Sequence, residues 1–152
     1  MADESAISHV LLESLRERLR ARPGSPAIEV AVHAAVEPDL EQRAWALVAL
    51  ARRLRQECAG ELARLAVDGA IALDAGPAPT RAARTVSVSL LADDGELDSA
   101  AALGEELLAQ GQDAALLKAL ARVYWARWQE TGNESWHERW WHVNVLRHDK
   151  TS

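Results

Sequence analysis

Residues 90–101, Leu90-Leu91-Ala92-Asp93-Asp94-Gly95-Glu96-Leu97-Asp98-Ser99-Ala100-Ala101, decide the fold. An apolar stretch passes through the turn Asp93-Asp94-Gly95 and re-enters helix at Glu96, which continues to Gln110 until Gly111 stops it. Ala59–Gly76 aligned without gaps on Asp94–Gly111, an offset of 35 residues, repeats this pattern. Gly60/Gly95, Glu61/Glu96, Leu62/Leu97, Ala66/Ala101, Gly69/Gly104, Leu73/Leu108 and Gly76/Gly111 are seven identities in eighteen positions. Offsets of that size belong to stacked helical hairpins.

Outward from this run the same grammar continues. Asp39-Leu40-Glu41-Gln42 is a helix start, with Asp39 accepting from first-turn N–H groups and Gln42 reaching back, and the helix should run to about Glu57. A turn at Ala59-Gly60 leads to a helix ending near Gly76, where Pro77 and Pro79 prevent continuation. The β-branched patch Thr85-Val86-Ser87-Val88 weakens an otherwise helical reading of Thr80–Ala92. Asp113 caps a helix to about Glu130, Thr131-Gly132-Asn133 turns, and Ser135 with Glu138 forms a capping box for a last helix to Arg147. Upstream, Ile7, Val10, Leu11, Leu15 and Leu19 line one face of a helix over Ser5–Arg22. Pro23-Gly24-Ser25-Pro26 breaks it, and Ala27–Val36 fits a short helix better than an unpaired strand. The expected organisation is N-terminal helices and a Pro/Gly linker over 1–38, a repeat domain over 39–147 and a tail over 148–152.

The stretch around Gly95 resembles the hairpin turn and second-helix start of a tetratricopeptide repeat, in which glycine closes the first helix and a small residue, here Ala100, lets the second pack closely. Gly60 and Gly132 would be the flanking turns, so the resemblance covers about three repeats over 39–147. It implies an all-α fold of six to seven helices, a short right-handed superhelical array of antiparallel hairpins. The pattern departs from the family at Arg84, Val88 and Leu107, and Gln112 stands where a proline is expected. Between Gly95 and Gly132 the spacing is 37. The resemblance puts ligand-facing first-helix positions at Ala82, Thr85 and Ser89, then Arg122, Ala126 and Gln129, without the Lys/Asn set of carboxylate-clamping members.

Composition agrees with a helical core. Apolar residues make up 49% of the 152, charged residues 26%, and phenylalanine is absent. The lone Cys58 and an acidic N-terminus unlike a secretory signal point to a cytoplasmic protein. The charge-free run Ala44–Ala51 is far too short for a membrane span. Net charge is −6, concentrated in residues 59–113, which carry ten Asp/Glu against three Lys/Arg. That disfavours a phosphate-tracking surface there. Arginine supplies fifteen of the seventeen basic residues, a bias that GC-rich, bacterial-like coding would also give.

The aromatic residues mark the candidate site. Trp45 stands alone, whereas Tyr124, Trp125, Trp128, Trp136, Trp140 and Trp141 crowd the last two helices. Large aromatics anchor interfaces because they bury much area at low entropic cost. Tyr124, Trp125 and Trp128 fall on helix-packing positions and read as core. On the last helix, Trp136, Trp140, Trp141, Val143 and Val145 spread apolar surface over more than one face. Trp136, Arg139, Trp140 and Trp141, with Arg122 and Gln129, therefore form the expected partner-binding set, for a protein or a second copy.

Other motifs are weaker. His137 and His142 are five residues apart, about 140° around a helix, so they do not share the face that a two-histidine metal site needs. Arg52, Arg53, Arg55 and the Arg16–Arg22 series are diluted by Glu57, Glu13 and Glu17 and lack interleaved aromatics for stacking bases. No Gly-rich phosphate loop, paired-carboxylate motif or activated nucleophile occurs. The sequence points to a non-enzymatic interaction adaptor or scaffold without cofactor. The alternative is a small helical subunit of a larger complex, a ribonucleoprotein included.

Overall fold

Six helices occupy residues 37–149 in the computed structural model, which describes those residues together with Glu13 and Glu17. They are α1 (Leu40–Gln56), α2 (Gly60–Leu73), α3 (Pro77–Asp93), α4 (Leu97–Gln110), α5 (Ala114–Thr131) and α6 (Glu134–Asp149). No strand occurs among the described residues. The expectations for Ser5–Arg22, Glu13 and Glu17 apart, and for 27–36 lie outside them. No helix among the described residues is long and apolar enough to cross a membrane.

Capping residues set several starts. Asp39 accepts from the Gln42 N–H at 2.9 Å and Asp113 from the Leu116 N–H at 2.9 Å. Gln42 does not reach back; Glu37 Oε1 accepts from the Asp39 N–H at 3.3 Å instead. Pro77 begins α3, and Pro79 falls in its first turn, where a missing N–H removes no helical bond. The β-branched patch inside α3 stays helical because burial outweighs its propensity. Thr85, Val86 and Val88 are all buried, and Thr85 Oγ1 donates to Arg81 O at 3.0 Å. The last helix departs from the expected capping box. Gly132, left-handed at φ 68°, ends α5 at Thr131, so Asn133 takes the capping role and its Oδ1 accepts from the Ser135 N–H at 3.0 Å. Ser135 is thus inside α6, which extends to Asp149, past the expected end at Arg147.

Helix starts recur every 37 residues, not every 35. First helices begin at Leu40, Pro77 and Ala114, and second helices at Gly60, Leu97 and Glu134, each 37 apart. Backbone hydrogen bonds follow the same step. Ala59 N donates to Leu54 O at 2.8 Å and Glu96 N to Leu91 O at 2.9 Å, while Cys58 N meets Arg55 O and Gly95 N meets Ala92 O at 3.1 and 3.0 Å. These paired bonds are Schellman closures, which place the intervening residue in the left-handed region. Cys58 (φ 59°) is therefore the counterpart of Gly95 (φ 79°), and Gly60 is not; Gly60 is already the first residue of α2. A slip of two residues turns a helix by about 200°, so the 35-residue alignment pairs opposite faces.

The chain divides into two compact units at Val86/Ser87, within α3. In the first, α1 packs on α2, with Leu47, Leu50 and Leu54 of α1 and Ala63, Ala66 and Leu73 of α2 almost fully buried. Each such leucine contributes roughly 1.5–3 kcal/mol of transfer free energy. In the second, α4 packs on α5 and α5 on α6 around Leu107, Leu116, Leu117, Leu120, Val123 and Val143. Gly104 sets the α4–α5 approach, since a Cβ there would run into the Leu120 side chain.

Candidate interaction face

The α5–α6 hairpin carries two aromatic groups with different surroundings. The inner group centres on Tyr124, buried, whose ring lies 6.0 Å from that of half-buried Trp136. Tyr124 Oη donates to Glu105 Oε1 at 2.9 Å, and the same carboxylate takes Arg139 Nη1 at 3.2 Å. The Arg139 guanidinium lies over the Trp136 ring at 4.6 Å and that of Arg127 at 5.8 Å. Burial, and next the hydrogen bond to Glu105, push the Tyr124 phenol well above its ordinary range. Arg127 is itself held by Asp98, Nε to Oδ1 at 2.9 Å, and by Glu130 at 3.1 Å. This network ties α4, α5 and α6 together.

The outer group packs ring on ring. Trp125 meets Trp128 edge-on at 5.2 Å and Trp140 at 5.0 Å. His137 lies 4.3 Å from Trp128 and 5.6 Å from Trp140. Aromatic pairs at such separations add about 0.5–1.5 kcal/mol each beyond their buried area. Trp125 departs from the expected core position and is exposed, while Tyr124 is buried and Trp128 half-buried.

The six sequence-derived candidates therefore separate. Trp136 and Trp140 turn inward against the α4–α5–α6 core. Arg139 is engaged by Glu105 and Trp136. Exposed Arg122 pairs with Asp93 at 2.7 Å, and Gln129 is exposed on α5. Trp141 alone among these tryptophans projects outward, 63% exposed, with Val145 one turn on at 41%. Of the ligand-facing positions that the repeat resemblance implied, Thr85 is buried instead, because its hydroxyl is satisfied within α3.

Val145 is the residue that sequence reasoning left out of the site. The i, i+4 spacing from Trp141 was its signal, obscured because Val143, two residues earlier, reads as equally apolar although the fold buries it. His142 is exposed and His137 is packed among the rings, and among the described residues no group of three His, Cys, Asp or Glu is placed to hold a metal. Comparison with protein families, curated proteins and solved structures finds no match to this chain.

Proposed function

We propose that this protein is a non-enzymatic adaptor or scaffold, an array of tetratricopeptide-like hairpins that engages a protein partner through the outer face of α6. The exposed pair Trp141 and Val145 carries this reading. An indole left in water forgoes the transfer free energy that its neighbours Trp136 and Trp140 gain, and such residues anchor interfaces when covered. The 37-residue recurrence of helix starts supports the repeat character.

The alternative is a small helical subunit of a larger complex, and in its ribonucleoprotein form it needs cations free to meet phosphate. Residues 87–149 carry eleven Asp/Glu against five Lys/Arg, and Arg122, Arg127 and Arg139 are all engaged in ion pairs. That weighs against it.

The test is a nuclease-treated pull-down from native lysate with wild-type chain and Trp141→Ala, both checked for folding. The adaptor reading expects a protein partner that the variant loses. Recovery of nucleic acid alone, and only when nuclease is omitted, would overturn it.

A further inference from the structure

We infer that the Trp141–Val145 stripe of α6 takes a basic amphipathic helix of a partner protein, one with a small-residue notch for the indole and cations for Glu134 and Glu138. This deepens the adaptor reading and rests on it.

The packing of α4 on α5 is the reason the occupant is a helix. Trp141 and Val145 stand 37 residues after Gly104 and Leu108, on the second helix of the next hairpin. In α4 those two positions lie in the packing with α5, where the missing side chain of Gly104 receives Leu120. The same helical face in α6 is thus shaped for a helix, but with its relief inverted, since the receiving notch has become a projecting ring. A leucine brought there, as α5 brings Leu120 to Gly104, would meet the indole where α4 leaves a notch. A helix bringing glycine or alanine accommodates the indole. A second copy whose twofold axis passed through this stripe would bring another Trp141 to the same place, ridge against ridge.

Charge fixes the partner's sign. Glu134 and Glu138 lie within about 60° of Trp141 around the helix and are both exposed. Three arginines of this hairpin are held by other side chains, and His137 Nδ1 lies 3.8 Å from Glu134 Oε2. Arg127 pairs with Asp98 and Glu130, Arg139 pairs with Glu105, and Arg147 Nη1 donates to Asn144 Oδ1 at 3.2 Å. The stripe offers apolar surface edged with carboxylate, and lysine or arginine flanking the notch complements it.

Two synthetic helical peptides with the same Leu/Ala face, one with lysine and one with glutamate on the polar face, test this by calorimetry against the full chain. The lysine peptide should bind, with affinity falling as salt rises. Trp141→Ala should weaken it about tenfold or more, as expected for an interface anchor. Glu134→Gln/Glu138→Gln should remove most of the salt dependence while leaving the fold unchanged by circular dichroism. Equal binding of both peptides, no binding of either, or binding indifferent to Trp141→Ala would overturn the inference. So would a dimer of the free chain, seen by sedimentation and abolished by Trp141→Ala, which assigns the face to a second copy. If the peptides fail while the pull-down still yields a Trp141-dependent protein, the adaptor reading stands and this occupant alone is refuted.

Discussion

Gly104→Ala should change sign with its neighbour. The added Cβ enters the space of the Leu120 side chain, which is fully buried and cannot swing into solvent. Alanine in place of glycine within a helix is worth about 1 kcal/mol in propensity. Crowding a packed core costs about 1–3 kcal/mol. The net expectation is a loss of about 1 kcal/mol. Leu120→Ala by itself should cost about 2–5 kcal/mol. In that background the new methyl meets space, the crowding disappears, and Gly104→Ala should stabilise by about 1 kcal/mol. The coupling is then about 2 kcal/mol, within the range for residues in contact. Urea denaturation followed by tryptophan fluorescence reads the relevant unit, because five of the six tryptophans lie beyond residue 87. If Gly104→Ala stabilised the chain equally in both backgrounds, the close α4–α5 approach would be refuted.

Other expectations follow from the same geometry. Cys58→Gly should stabilise by about 0.5–1 kcal/mol, because a left-handed non-glycine costs about 1–2 kcal/mol and glycine returns part of that as unfolded-state entropy; equal midpoints in urea would contradict it. Trp136→Ala should cost about 2 kcal/mol through lost ring and guanidinium contacts, whereas Trp141→Ala should stay within about 0.5 kcal/mol; thermal melts distinguish them. Tyr124 is the only tyrosine, and its folded-state pKa is raised, so its contribution is complete below the unfolded value of about 10 and is lost as pH rises beyond it. Absorbance near 295 nm should show tyrosinate appearing together with alkaline unfolding, not before it.

Much of the helical grammar was legible because it is local. Asp39, Asp113, Gly95 and Gly132 each act within a few residues of their own position, through a side-chain cap or a left-handed backbone. The 37-residue spacing of helix starts was not legible, for the same reason. Matching glycine to glycine chose Gly60 for Gly95, although the left-handed position of the first hairpin is held by Cys58, a residue type that gives no turn signal. The Asn133 cap was missed because Ser135 with Glu138 satisfies the motif equally well in sequence; only the end of α5 at Gly132 decides between them. Within the tryptophan-rich helix, periodicity showed that more than one face is apolar. Which indole faces outward depends on where α4 and α5 lie, and that is long-range information.

Hydroxyl-radical footprinting of the six tryptophans, in the free chain and in the affinity-captured complex, tests the central claim most directly. The account predicts that Trp141 is oxidised faster than Trp136 and Trp140 in the free chain, and is strongly protected on complex formation while those two change little. Slow oxidation of Trp141 in the free chain, or a complex that leaves it as reactive as before, would contradict the assignment of the binding face to the outer side of α6.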